Sequence, residues 1–529
     1  MKKACVLLPA LVLAAVPLFA RGESQTPGGA GVQTQPGGGV SYPLETNVTL
    51  TYWTALTYNL QANFTNMGDT PYAKAWEQKT GVKVRYLHPP IGGENEQFNL
   101  MVASGELPDI IDRDFLAYPG GPEKAISDGV ITNLNDTLAR HAPNLAGWLK
   151  AHPDYDRMVK TDEGNYYVFP FMRGDVGLCI WQGIQIRKDW LDELGLAVPQ
   201  TYDDWRNVLT AFKQRKNSPA PLCIPWNNTS FLYGYGVDRN FFVGADGKVQ
   251  YGSTDPAFRE YLEMMAQWYR EGLLDPDMAT LSAQQIQTRI ASGVSGAFHG
   301  SLGGNMGAWT PAARQTTPQF ELLAVKGPTK QRGQEPILLN IDNPYYGANS
   351  AAISGASRNV EIAARLLDYN YGQEGYMFNN FGVEGVSYNM INGYPTFTDL
   401  VMRNPQGWPV SQAMSAHVRS SYGGPMVQAI EYFQQYMALP EQKAGPDNWA
   451  IKEPFKHRLP PITPTPEESR EFAQIMNEIN TYTDEMITKF ILGTEPLSSW
   501  DTFVSTIRRM GIDRALAIQN AALTRYNRR

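Results

Sequence analysis

Cysteine and histidine are scarce in this chain of 529 residues, which has three of the first and six of the second. The histidines (His88, His141, His152, His299, His417 and His457) show no metal-ligand spacing, and too few cysteines remain for a zinc-finger site. No metal and no cofactor are therefore expected. Basic residues are also in deficit: 45 Lys and Arg against 52 Asp and Glu leave a formal charge of −7 and a pI near 5.6. A phosphate-binding surface needs a basic field, which argues against nucleic acid as a partner. A local basic cleft within an acidic chain is not excluded. The glycines carry no P-loop or dinucleotide fingerprint, and there is no internal repeat. The apolar run Ala4 to Phe19 is short for a membrane-spanning helix and is interrupted by Pro9 and Pro17.

That run follows Met1-Lys2-Lys3 and reads as a secretory signal covering 1–20, with cleavage after Ala20. Arg21 then occupies the position where a thioether lipid anchor would need cysteine. A free periplasmic protein is expected, with an uncleaved anchor as the alternative. Residues 21–45, rich in Gly, Pro, Gln, Ser and Thr, read as a disordered tether. Cys179 and Cys223 remain after cleavage. An exported protein can pair them, and two independent buried thiols fit the sequence equally well.

What the chain has in quantity is apolar surface, 43% of its residues, enough for two cores. Strands and helices alternate from the start. Val48 to Trp53, Val82 to Leu87 and Asp109 to Ile111 read as strands, and Pro71 to Lys79 and Glu94 to Ser104 as helices closed by Gly81 and Gly105. This βαβαβ order predicts a parallel sheet, with ligands bound beyond the carboxyl ends of its strands. Trp53 to Tyr58, His88 to Gly93 and Asp112 to Tyr118 fall there.

The most telling stretch is Ile186 to Lys213, IRKDWLDELGLAVPQTYDDWRNVLTAFK. A strand ends at Arg187, a short helix stops at Gly195, and Thr201 with Asp204 reads as a capping-box variant. Trp205, Val208, Leu209 and Phe212 then form one apolar helical face. This segment, with EQFNLMVASGELPD (96–109), FGVEGVSYNMINGYPTFTD (381–399) and the run Tyr482 to Tyr526, resembles extracellular solute-binding proteins of carbohydrate ABC importers. The similarity is to a long-chain branch that includes alginate- and pectin-oligosaccharide-binding proteins.

The resemblance implies an α/β periplasmic-binding-protein fold: two lobes, each with a central, mostly parallel sheet, and a cleft and hinge between them. The lobes divide as 46–172 and 325–395 against 173–324 and 396–529, with Tyr166 to Arg173 carrying the chain to the second lobe, Phe320 to Val325 bringing it back, and Ala348 to Ile353 with the helix after Asn359 completing the first. It implies capture of an oligosaccharide, uronate-containing ones included, and delivery by a monomer to ABC transporter permease subunits. Alginate-binding relatives carry a calcium loop after the helix matching Tyr202–Lys213. Here KQRKNSPAPLCIP offers no carboxylate between Lys213 and Pro225, so that site is not carried over.

Sugars demand flat aromatic platforms beside hydrogen-bonding side chains. Trp226-Asn227-Asn228, followed by Tyr233, fits that demand, or else packs on its own lobe. His299 and Trp309 flank the Gly-rich loop 300–307. Arg113, between Asp112 and Asp114, can grip a uronate carboxylate, with Asp114 accepting from hydroxyls. Arg173 at the crossover is a second cation candidate or a hinge ion-pair partner. Trp53 and Tyr345 complete the expected ligand set, and Asp342, Tyr346, Trp408, Tyr422 and Trp449 are further candidates. No catalytic residue is expected. The competing functions are a secreted glycosidase or lyase, which needs a placed carboxylate pair or a Tyr/His/Arg set, and a sugar-sensing binding protein.

Overall fold

Leu50 and Tyr52 alternate with less buried neighbours along Thr49–Trp53, which forms the first strand, β1. The computed structural model describes residues 40–529 except 422, and these lie in one compact unit. The expected signal peptide and the tether up to residue 39 lie outside the described residues. The tether was expected to extend to 45. Instead Tyr42 is already docked, its hydroxyl donating to the Arg365 carbonyl at 2.5 Å and its ring edge-on to Tyr369. Two nearby aromatic surfaces outweigh the local Gly/Pro composition.

After β1 come β2 (Lys83–Leu87), β3 (Ile110–Asp112) and β4 (Phe169–Arg173). The second lobe adds β5 (Gln182–Arg187), β6 (Leu222–Cys223), the hairpin β7 (Phe241–Val243) and β8 (Val249–Tyr251), β9 (Ala297–Ser301) and β10 (Leu322–Ala324). The chain returns through β11 (Tyr345–Ile353), makes the hairpin β12 (Tyr388–Ile391) and β13 (Tyr394–Phe397), and adds β14 (Met426–Gln428). The six-stranded sheet has order β14-β4-β11-β3-β1-β2, and the four-stranded sheet β10-β5-β9-β6.

Neither sheet is uniformly parallel. β11 runs antiparallel to β3 and β4, and in the second sheet β5 is antiparallel to both β9 and β10, leaving only β6–β9 parallel. Mostly parallel sheets were expected in both lobes: the first meets that, with β1–β2, β1–β3 and β4–β14 parallel, and the second does not. The departure follows from connectivity, because strands that carry the chain into a lobe lie beside strands that carry it out. A second correction concerns the C-terminal part, expected to pack wholly on the second lobe. β14 instead pairs with β4 at the edge of the first sheet, aligning Met426 with Phe171 and Gln428 with Arg173. An apolar MVQ segment satisfies its backbone by extending an open sheet edge.

Local signals act where the sequence puts them. The helix Tyr202–Arg215 starts in a complete Thr201/Asp204 capping box and buries Trp205, Val208, Leu209 and Phe212. These meet Phe231, Trp268 and the faces of the terminal helices Pro466–Leu492, Trp500–Arg509 and Ile512–Tyr526 in the main second-lobe core. Asp162 of the first lobe accepts from Arg525 Nε at 2.5 Å and Arg529 Nε at 3.0 Å, which ties the last helix across to that lobe. Cys179 and Cys223 are free and buried, and burial pushes both thiols up to about 12.

The helix Pro71–Thr80 ends at Gly81 with φ +75°, where a Cβ would come within 2.3 Å of the Leu44 carbonyl oxygen. Gly81→Ala should therefore cost at least about 1–2 kcal/mol from the left-handed conformation alone. The expected outcome is a lower denaturant midpoint by circular dichroism; an unchanged midpoint would contradict the close approach.

Candidate functional site

The register of the first sheet builds one wall of a cleft. Phe171 on β4 lies opposite Tyr346 on β11 and Met426 on β14, and Arg173 lies opposite Gln428. Side chains alternate along a strand, so Phe171, Arg173 and Tyr346 share a face. The two rings meet edge-on with centroids 6.3 Å apart, and the Arg173 guanidinium sits 5.7 Å and 5.5 Å from their centres. Asn59, just after the expected rim at Tyr58, and Asn349 add amides.

The opposite wall comes from three places. Trp181 stands before β5, Ser301, Gly303 and Gly304 follow β9, and Tyr432, Phe433 and Tyr436 lie on the helix Ile430–Tyr436. Tyr432 and Tyr436 stack 13° from parallel. Gly303 permits this wall, since a Cβ there would lie 2.2 Å from the Tyr436 ring. The space between the walls offers about 300 Å³ to water-sized molecules, at the lower end of typical ligand sites. Trp181, Tyr346 and Tyr436 are half-buried, with ring surface left to contact a ligand.

Asp342, in the segment returning to the first lobe, ties the two walls together. Its Oδ2 accepts from Arg173 Nη2 and from Trp181 Nε1, each at 2.7 Å. Arg173 Nη1 donates to the Leu178 carbonyl at 3.0 Å and to Gln428 Oε1 at 3.3 Å. The guanidinium thus joins β4, β14, the crossing segment and the return segment.

The expected ligand residues fare unevenly. Arg173 lines the cleft, and the Gly-rich loop contributes Gly303 and Gly304. Tyr345 does not: its side chain is buried and its hydroxyl meets that of Tyr167 at 3.0 Å, so the neighbouring Tyr346 takes the exposed face. Trp309 is a correction too. It is buried against Phe298 with ring centroids 5.2 Å apart and fills core instead of flanking the cleft. Trp53 is buried, donating through Nε1 to Gln97 at 2.9 Å. Arg113 lies 3.9 Å above the Phe98 ring and donates to Asn95. Asp114 accepts from the Leu116 amide, and burial raises its carboxyl above the usual carboxylate range. None of these three lines the cleft.

Trp226 packs against the second-lobe core with Arg239 over its ring at 4.7 Å, and Asn227 is exposed beside it. Tyr233 borders a separate cavity of about 30 Å³, with room for one water. His299 spans Ser230 Oγ at 2.8 Å and Asn340 at 3.1 Å, and burial lowers it to about 4, so it is neutral at pH 7. Trp449 donates to the Ile184 carbonyl from the core, Trp408 packs on Phe64, and Tyr422 lies outside the described residues. Trp181 and the aromatic triplet 432, 433 and 436 were missed from sequence. The triplet's helical spacing was the available signal.

Two sheets on either side of an aromatic-lined cleft, with the chain passing between them at β4–β5 and again at β10–β11, define a two-lobe binding protein. A family model for the bacterial extracellular solute-binding protein matches residues 61–377, and the chain belongs to that family. It is 24% identical to the fructooligosaccharide ABC transporter substrate-binding protein FusA of Streptococcus pneumoniae over 92% of both chains. It is also 24% identical to the polygalacturonan/rhamnogalacturonan-binding protein YtcQ of Bacillus subtilis, over 60% of this chain and 63% of that one. Among solved structures, the alginate-binding protein AlgQ2 without calcium ion superposes with a TM-score of 0.74 at 25% identity, covering 91% of this chain and 99% of that one. FusA in complex with kestose gives 0.73 at 21% identity, over 91% and 100%.

Trp181 and Trp309 distinguish a cleft-lining ring from a core one. Trp181→Ala should weaken ligand binding roughly tenfold to a hundredfold and lower the unliganded melting temperature less than Trp309→Ala does, because it loses the Asp342 hydrogen bond but only partly buried ring surface. Trp309→Ala should lower that temperature, since a core Trp→Ala costs about 3–5 kcal/mol. Calorimetry on both variants checks the pair; the reverse pattern would move the site.

Proposed function

We propose that this protein captures an oligosaccharide in the interlobe cleft and delivers it, as a monomer in the periplasm, to an ABC transporter permease. The observation that carries the reading is the lining: aromatic rings from both walls with amide and hydroxyl groups around them, the complement of a pyranose or furanose ring. The ligand contacts we assign are Trp181, Tyr346 and Tyr436 as platforms, with Asn59, Asn349 and Ser301 for hydroxyls. The relatives described as binding fructooligosaccharide and polygalacturonan support a glycan ligand.

The moving bodies are 46–172 with 325–395 and the strand at 426–428, against 173–324 with the remaining C-terminal segments. A ligand bridging both walls makes its full contacts only when these close, so binding shifts the hinge equilibrium. The family and the relatives named above are binding proteins, which favours binding over hydrolysis.

Two outcomes follow. An oligosaccharide bound in calorimetry should be recovered unchanged by chromatography; shortened or unsaturated products that scale with protein would favour an enzyme. X-ray scattering should give a smaller radius of gyration with saturating ligand than without, and an equal radius would remove closure from the mechanism.

A further inference from the structure

The geometry points to a cleft that selects neutral oligosaccharides over uronate-containing ones, with the Arg173–Asp342 pair as the determinant of that choice. The inference rests on the cleft being the glycan site. A uronate carboxylate needs a cation whose charge is not already spent. Arg173 is the one charged residue among the described residues lining the cleft. Asp342 meets its Nη2 at 2.7 Å, and the two side chains are 13% and 18% exposed. Nη1 is held by Leu178 and Gln428, while Nε is buried and faces no acceptor. A ligand carboxylate brought here would share one guanidinium with Asp342, two like charges in a poorly solvated space.

The neighbouring cations offer no substitute. Arg419 is 2% exposed and donates to Asp112 at 2.8 Å and to the Tyr52 hydroxyl at 3.4 Å. Arg113 is stacked on Phe98 and bonded to Asn95. His299 bridges Ser230 and Asn340 without lining the cleft. Desolvating a row of carboxylates would go uncompensated, whereas a neutral chain loses only hydroxyl hydration that the amides and Ser301 restore.

Asp342→Asn tests this, because asparagine Oδ1 still accepts from Trp181 Nε1 while the cleft gains one net positive charge. Calorimetry would compare length-matched neutral oligosaccharides (kestose-type fructans, xylo- and manno-oligosaccharides) with alginate and polygalacturonate oligomers, on wild type and variant. Wild type should bind a neutral sugar at least about tenfold more tightly than any uronate, and the variant should narrow that ratio by about tenfold, one factor of ten being 1.4 kcal/mol. A wild-type preference for a uronate oligomer, or a ratio that Asp342→Asn leaves unchanged, overturns the inference while leaving the oligosaccharide reading intact. Binding of neither class overturns that reading and this inference with it. Should the variant fail to fold, wild type alone decides. Affinity for its tightest ligand should be unchanged between about 0.05 and 0.5 M NaCl, and a steep loss with salt would mean that charge carries recognition.

Discussion

The Asp342 carboxylate holds the junction on which the rest of the structure depends. It lies between the strand that leaves the first lobe and the strand that enters the second, accepting from Arg173 on one side and Trp181 on the other. Removing a partner from such a partly buried pair leaves a charge with nothing to compensate it, so the geometry is held by the cost of breaking it. The same contacts aim Trp181 along the cleft and keep Arg173 between Phe171 and Tyr346. The crossing segments and the cleft lining share the same few side chains.

That economy has a consequence for the sheets. A hinge with paired crossings needs one strand running out beside one running in, which is why β4 and β11, and β5 and β10, are antiparallel neighbours. β14 then closes the open side of β4 and brings Gln428 to Arg173. The C-terminal helices do a different job. They bury Phe490, Phe503 and Trp500 in the second-lobe core, while Arg525 and Arg529 reach Asp162 on the first lobe.

Much of the fold was legible one element at a time. The Thr201/Asp204 box, the Pro71–Thr80 helix closed by Gly81 and the Glu94–Ser104 helix closed by Gly105 are local chemistry, and each sits where its residues call for it. Such caps depend on backbone groups within four residues. The cleft was legible only in part. The strand Phe169–Arg173 and the Gly-rich loop reach its lining because chain connectivity brings them there, and of the ten expected ligand residues Arg173 is on that lining. Trp309 and Tyr345 are the instructive misses. An aromatic beside a cleft and one beneath it look alike in sequence, and along a strand a single residue decides the face, as Tyr345 and Tyr346 demonstrate.

By itself the sequence determined the export-type leader pattern as an expectation, the alternation of strands and helices, and the helix ends, all of which follow from residue chemistry acting within a turn or a strand. The two-lobe class came from the chain's resemblance to extracellular solute-binding proteins. Only the tertiary structure decided which aromatics face the cleft, that β14 crosses back to the first sheet, and that Arg173 spends its charge on Asp342. Those outcomes join residues separated by 169 positions in the Arg173–Asp342 pair and by 255 in the Arg173–Gln428 pair. No local propensity encodes such a contact, because its energy exists only after two sheets have assembled and water has left the space between them.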